Sequence, residues 1–486
     1  MSYRDLRDFM TLLEQHGDLV RIPQQVDWDL EVGAVSRRTF EQSGPALWFQ
    51  HVKDVQDGFS ILNGPVGTWR RVALALDMPP ESGVREIYRT YEERIGREGI
   101  LPVEVSREEA PCKQHRMTGG DVDLYKLPAP MIHEGDGGRY LGTWDLVVTE
   151  DPDTGWANWG MYRFMVHNRN TLAGWPQATS QLALMMREKY LPQQQSMPVA
   201  IVIGADPLSH MVASAPVRPG ISEATVAGAL RGSPIALVRC ETSHLMVPAQ
   251  AEIVIEGEIL WNRVVPDGPF GEYPGYRSGT MAEGVGLQVT AITYRDNPIL
   301  TMTALGVPPD DSSIAASLTA AVGIKQGLKR RGLPVLDVYV PPEGVTHLVV
   351  VSVAQGGVEV TKQVLEFFTA RRVMVSKIIV VDPDVDVFDM GQVLHAFATK
   401  CHPERGILVN HYEGRGNALT PYYSSEERRV LRGASVAFDA TWPPSWPEET
   451  VPVKASFEQT FSSPVKDLVR SRWAEYGDGA LAERFR

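Results

Sequence analysis

The hydrophobic period changes once along this chain, and that change limits the folds open to it. From about residue 120 to about residue 305 the apolar residues fall in short or alternating runs, at 146–149, 199–203, 236–240, 252–258 and 288–294. The alternation in Glu252-Ile253-Val254-Ile255-Glu256 predicts a half-buried antiparallel strand. After about residue 310 helices and strands take turns: an Ala-rich helix over 312–331 closed by Gly332, strands over 335–340 and 347–353, and a helix over 358–368. A buried strand over 377–381 and a helix over 391–400 follow. That order calls for a separate α/β unit.

The ends are read the same way. Leu6, Phe9, Met10 and Leu13 share a helical face that stops at Gly17, and a short strand over 19–22 comes next. A second helix over 30–40 follows Asp27 and Asp29, either of which could cap it. Residues 45–105 mix short apolar runs with turns, as in a small α/β module. At the far end, residues 464–476 read as an amphipathic helix with Val465, Leu468, Val469 and Trp473 on one face, suited to packing on its own chain or on a partner.

With 486 residues, roughly two or three domains are expected. A net charge of −13 argues against nucleic acid as a partner, since phosphate binding needs a basic face. It leaves an anionic substrate open, because one arginine can dominate the field inside a pocket. Cys112, Cys240 and Cys401 are far apart and form no Cys-x-x-Cys pair, so neither a disulfide framework nor a zinc site is supported. The first residues lack the apolar stretch of a signal peptide, and no apolar run approaches the ~18 residues of a membrane helix. A soluble cytoplasmic protein with no membrane partner is expected.

Two polar segments stand out within the β-rich middle. Asn158-Trp159-Gly160-Met161-Tyr162-Arg163 offers a neutral oxygen ligand, a glycine that lets backbone approach a ligand closely, and a guanidinium that can fork onto a carboxylate. Asp267-Gly268-Pro269-Phe270-Gly271-Glu272 holds two carboxylates on a loop stiffened by glycine and proline. An arginine lowers the pKa of a neighbouring carboxyl and an apolar pocket raises it, so two acids beside one arginine can divide the work of orienting and of proton donation. Taken alone, each segment is also explained by a polar strand end or a solvated acidic loop. Glu223, opening a helical run after Gly220-Ile221-Ser222, has a sufficient structural reason in the helix dipole. Asp382, Asp384 and Asp386 start like a calcium loop, but Val387 and Val393 stand where that loop needs Gly and Glu. Gly135-Asp136-Gly137-Gly138 lacks the Lys-Ser/Thr of a phosphate loop and reads as a flexible turn.

In this order the segments resemble the UbiD family of reversible decarboxylases over nearly the whole chain. The likeness also rests on His133-Glu134-Gly135-Asp136-Gly137-Gly138-Arg139-Tyr140, on Gly220-Ile221-Ser222-Glu223, on Tyr294-Arg295-Asp296-Asn297-Pro298-Ile299-Leu300 and on Trp473-Ala474-Glu475-Tyr476-Gly477. The cinnamate- and pyrrole-carboxylate-type branch is the more similar one. The resemblance implies prenylated FMN as an electron sink for loss of carbon dioxide. By matched position, Arg163 would grip the substrate carboxylate, Glu272 would deliver the proton and Asp267 would orient Arg163. Backbone and side chains at Gly160, Met161, Tyr162, Ser180 and Pro216 would meet the flavin, and Lys377 its phosphate. Asn158, Gln181 and Glu223 would hold Mn2+ or Mg2+, and carbonyls near Trp159, Val212, Ala213 and Ala215 would hold K+.

Two positions depart from the family pattern. Gln181 stands where a histidine ligand is usual, and Gln can still ligate a hard cation through oxygen. Asp267 replaces a frequent Glu and shortens the reach to Arg163 by about 1.5 Å.

The implied fold is a multidomain α+β / α/β chain. It comprises an N-terminal α/β unit at 1–115, a split-β-barrel flavin domain at 116–308, a C-terminal α/β dimerisation domain at 309–455 and a terminal helix at 456–486. The implied partners are a small carboxylic acid, a flavin prenyltransferase that supplies the cofactor, and a second copy in a homodimer or larger homo-oligomer. The alternative is a non-catalytic flavin-binding homologue, which would have no need of Arg163 and Glu272; a Glu223-dependent metallohydrolase is a weaker one. Leu305 and Leu419 are expected on the substrate side of the pocket.

Overall fold

The change of period in the sequence becomes a change of layer. The computed structural model describes residues 2–277, 282–370 and 374–477. The first helix, Leu6–Gln15, buries Leu6, Phe9, Met10 and Leu13 and is capped by Asp5, whose side chain accepts from the amides of Arg7 and Asp8. It packs over a four-stranded sheet in the order Leu19–Val26, Ala46–Val52, Ser60–Asn63 and Ile299–Met302, so the last strand of the β-rich middle completes the N-terminal sheet. The helix Glu31–Glu41 is capped by neither Asp27 nor Asp29: Leu30 stands at its cap with φ 70° and makes no side-chain cap bond. The Asp27 carboxylate is taken by Lys53 at 2.7 Å, and Glu31 instead reaches back to the Asp27 amide at 2.7 Å.

The middle of the chain forms an open nine-stranded sheet. Its order is Tyr140–Leu141, Phe164–Asn168, Thr171–Gly174, Ala282–Tyr294, Ile253–Asp267, Met197–Ile203, Asp145–Glu150 and Ala157–Gly160, with His115–Thr118 paired to the side of Ala282–Tyr294. The strand Ile253–Asp267 is antiparallel to both neighbours, but the half-buried expectation fails at its start, where Glu252 to Gly257 are buried on both faces. Val254 belongs to one apolar core and Ile253 and Ile255 to another, so the alternation sorts residues between two cores rather than between core and water. The glutamates on the Val254 face are tolerated because they are paired: Glu252 with Arg7 at 2.7 Å and Arg295 at 3.3 Å, Glu256 with Lys113 at 3.1 Å. At its other end this long strand delivers Asp267.

The C-terminal unit is a five-stranded sheet in the order Val335–Tyr339, Leu348–Val353, Lys377–Val381, Gly433–Ala440 and Ile407–Tyr412, parallel in the centre and antiparallel at both edges. The long helix Asp311–Arg330 leads into it, capped by Asp310 and Ser313 in a reciprocal box. The terminal helix runs over Ser463–Ser471, shorter than the 464–476 expected, and Val465, Leu468 and Trp473 stay exposed on this chain. Residues 478–486 of the expected terminal segment lie outside the described residues. Among the described residues no helix is long and apolar enough to cross a membrane. Cys112 and Cys240 are buried free thiols, and Cys401 is partly buried.

Candidate active site

Asp267 ends its strand, Gly268 takes φ +85°, and the loop returns Phe270 and Glu272 to the protein interior. Arg163 lies between the strands Ala157–Gly160 and Phe164–Asn168 and meets both acids. Its Nη1 donates to Asp267 Oδ2, while Nε and Nη2 donate to Glu272 Oε1 at 3.0 and 2.8 Å. The guanidinium also lies over the rings of Tyr140 and Phe270, 5.5 and 5.1 Å from their centroids. Neither segment is a solvated loop: the side chains of Asp267, Glu272 and Arg163 are 0, 7 and 12% exposed.

Burial works against the charge on Arg163, but Glu272 and Asp267 outweigh it and raise its pKa. Burial also pushes both carboxyls above the ordinary range, with Arg163 pulling them back only in part. One lowered and one raised acid were expected; both are raised, because even the one tied to the arginine has lost its water. What separates them is position. Glu272 faces the cavity, whereas Asp267 stands behind Arg163 with Oδ1 buried and without a hydrogen-bond partner.

The 135–138 run, read in the sequence as a flexible turn, is tied to this loop. Asp136, 6% exposed, accepts from the Gly271 amide at 2.9 Å, and the Gly137 amide donates to the Pro269 carbonyl at 2.7 Å. Gly137 is required by that approach, since a Cβ there would stand 2.0 Å from the Gly268 carbonyl oxygen. Gly137→Ala is therefore expected to push the two segments apart and to cost about 1–3 kcal/mol of stability, read as a lowered Tm. An unchanged Tm would show that the loops slide past each other freely.

A second polar group lies along the same wall. Asn158 Nδ2 is 2.6 Å from Gln181 Oε1 and 3.1 Å from Glu223 Oε1, and Glu223 Oε2 accepts from the Trp159 amide at 2.9 Å. Gln181 is fixed by donating to the Val217 carbonyl at 3.0 Å. Glu223 is 2% exposed, so it is no surface helix-start acid, and burial pushes its carboxyl up to about 7. Asn158 Oδ1 is buried with no hydrogen-bond partner, while its Nδ2 faces the two other side-chain oxygens. Three oxygen-bearing side chains converging in a desolvated place form a donor set for a hard cation. Among the described residues no cluster of three or more His, Cys, Asp and Glu is placed to hold a metal, which removes the metallohydrolase reading's ligand cluster.

Both groups open on one cavity of about 920 Å³ between the middle sheet and the helix Asp311–Arg330, at the upper end of the range for small-molecule sites. Asn158, Trp159, Gly160, Met161, Tyr162, Arg163, Ser180, Gln181, Ala213, Ala215, Pro216, Glu223 and Glu272 line it, and so do Leu305 and Leu419. Val212 is buried outside the lining. Lys377 is outside it too, its ammonium over the Tyr422 ring at 4.1 Å, although Met374 and Val375 reach the wall. Tyr273 and Asn417 carried no signal in the sequence: Asn417, from the C-terminal unit, donates to the Tyr273 hydroxyl at 2.6 Å beside Glu272. Asp136 was missed for another reason, its glycine neighbours suggesting mobility where the fold uses them for close approach.

Three stretches of the chain match a known family in order. Residues 10–90 match the 3-octaprenyl-4-hydroxybenzoate carboxy-lyase N-terminal domain, 103–308 its Rift-related domain and 313–440 its C-terminal domain. The chain is 32% identical to the pyrrole-2-carboxylic acid decarboxylase of Pseudomonas aeruginosa, covering 98% of this chain and 99% of that protein. It is 30% identical to ferulic acid decarboxylase 1 of Saccharomyces cerevisiae, with 97 and 98% covered. Among solved structures, the closed form of vanillic acid decarboxylase from Sedimentibacter hydroxybenzoicus superimposes with a TM-score of 0.88 at 28% identity, covering 98 and 99% of the two chains. An evolved dimeric form of a UbiD-class enzyme of Pelotomaculum thermopropionicum, in complex with prFMN, gives 0.78 at 26% identity, with 93 and 97% covered.

Proposed function

The chain belongs to the UbiD family of carboxy-lyases, and on that premise we propose that it reversibly decarboxylates an α,β-unsaturated or (hetero)aromatic carboxylic acid, without net oxidation and with prenylated FMN as cofactor. The observation that carries this reading is the buried Asp267–Arg163–Glu272 device on the wall of one large cavity. When bound, prenylated FMN supplies an electron sink for the bond to carbon dioxide. The rest falls to the chain. Arg163, held by two acids, presents a fixed cation to the substrate carboxylate and orients it. Glu272, raised by burial and open to the cavity, is placed to deliver a proton to the carbon that loses carbon dioxide. Asp267 keeps the guanidinium in place and carries no proton to the substrate.

The residues present fit the expected groups. Asn158, Gln181 and Glu223 are assigned to Mn2+ or Mg2+ on the strength of the partnerless Asn158 oxygen, and Trp159, Ala213, Ala215 and Val212 to K+ through their carbonyl oxygens. Gly160 supports a flavin face against the backbone, with Met161, Tyr162, Ser180 and Pro216 around it, and Lys377 is assigned to the phosphate. We read the nine-stranded sheet as a split barrel, the chain as the four units at 1–115, 116–308, 309–455 and 456–486, and the assembly as a homodimer supplied with cofactor by a flavin prenyltransferase in the cytoplasm; the three free thiols fit a reducing compartment.

Co-expression with a flavin prenyltransferase should yield a protein that releases carbon dioxide from cinnamate- or pyrrole-type acids. A preparation with cofactor bound that is inert on a broad panel of such acids would overturn the enzymatic reading.

A further inference from the structure

Behind the loop that carries Glu272 lies a second charged device. Asp136 Oδ1 accepts from the Gly271 amide at 2.9 Å, and its Oδ2 accepts from the His133 amide and faces His133 Nδ1, both at 3.0 Å. On the other side of the imidazole, Nε2 is 2.8 Å from the carbonyl oxygen of Leu305, a residue of the cavity wall. A carboxylate and a carbonyl only accept, so a ring bonded to both carries a proton on each nitrogen. An imidazolium would satisfy both acceptors at once, and the Asp136 side chain beside it is fully buried. Packing holds it in place: a Cβ on Gly271 would stand 2.4 Å from the His133 ring, whose edge meets Phe270.

We propose that His133 and Asp136 are positioning residues for the proton-delivering carboxyl, fastening the Gly271–Glu272 backbone to one end of a charged pair and the Leu305 wall to the other. The inference rests on the decarboxylase reading above. Through this pair the loop bearing the proton donor and the wall facing it are fixed relative to each other. Asp136 also acts at a distance, since its negative charge is one of the influences that raise the Glu272 carboxyl. The other charged or titratable groups around the pair are Glu134 and Arg277 on the outer side, Arg163, Asp267, Glu272 and Tyr140 behind the loop, and Arg37 and Asp310 against the Leu305 segment.

Asp136→Asn tests this while keeping shape. The amide oxygen can still accept from Gly271 and the amide nitrogen can donate to a neutral His133, so the shape and these two contacts are kept while the charge and the bond from the His133 amide are lost. In the cofactor-loaded enzyme the variant should bind flavin normally with little change in KM, lose about tenfold in kcat, and shift the alkaline limb of the kcat profile downward by about half a pH unit or more. Asp136→Ala should lose about a hundredfold in kcat. A wild-type limb in Asp136→Asn, or wild-type kcat in both variants, overturns the proposal. A cofactor-loaded wild type that turns over no acid speaks against the decarboxylase reading instead. In that event nitrogen NMR of histidine-labelled protein, with the ring identified by its loss in His133→Gln, still decides the matter. Two protonated nitrogens at neutral pH that become one in Asp136→Asn support the pair, and a singly protonated wild-type ring overturns it.

Discussion

Replacing Glu272 with Gln is expected to lower kcat for carbon dioxide release by about 10²–10⁴-fold while the cofactor remains bound. Gln has the size of Glu and can still accept from Arg163, so the cavity wall keeps its shape. What it lacks is a proton to give. Among the described residues no other acid is placed to substitute: Asp267 is behind the guanidinium, and Glu223 belongs to the polar group around Asn158. The pH profile follows from the same carboxyl. Its pKa is raised, chiefly by burial, and delivery needs the protonated form, so the wild-type rate should hold on the acid side and fall as pH rises through that raised value. Full activity in Glu272→Gln, or a profile with no alkaline fall, would remove Glu272 from its role.

The two ends of this device were visible in the sequence as segments, but their meeting was not. Arg163 and Asp267 come together because Ala157–Gly160 pairs with Asp145–Glu150, which pairs with Met197–Ile203, which pairs with the strand that ends at Asp267. No local pattern encodes that path. Only the ordered likeness to a family linked the segments in advance. The same limit explains the error at Glu252 and Glu256, where a period of two is the same whether the far face meets water or a second core. Tyr273 and Asn417 are 144 residues apart, and their bond exists only because the C-terminal unit closes on the cavity. Lys377 is singled out by the family likeness alone, and its ammonium lies over the Tyr422 ring, outside the cavity lining.

Arg163→Ala is expected to give the largest loss of stability in the site, about 3–5 kcal/mol at neutral pH, because two buried carboxyls would lose their shared cation. Asp267 Oδ1 is buried without a hydrogen-bond partner even with Arg163 in place. The carboxyls can relieve the cost by staying protonated, which fixes the direction of the pH dependence. A carboxyl whose folded-state pKa is raised above its unfolded value contributes stability that is fully present below the unfolded value and is lost as pH rises through the folded one. Asp267 and Glu272 are raised even with Arg163 present, and without it they rise further. The variant should therefore be close to wild type in acid and fall away from it as pH rises through the raised carboxyl values. Arg163→Lys separates charge from shape: a single ammonium restores much of the stability, but it cannot fork onto both acids and the substrate, so turnover stays low. Thermal unfolding of the three proteins across pH decides the matter. A deficit in Arg163→Ala that is the same in acid and in mild base would mean that the two carboxyls do not titrate with the site, and that the guanidinium matters to the fold only through its packing on Tyr140 and Phe270.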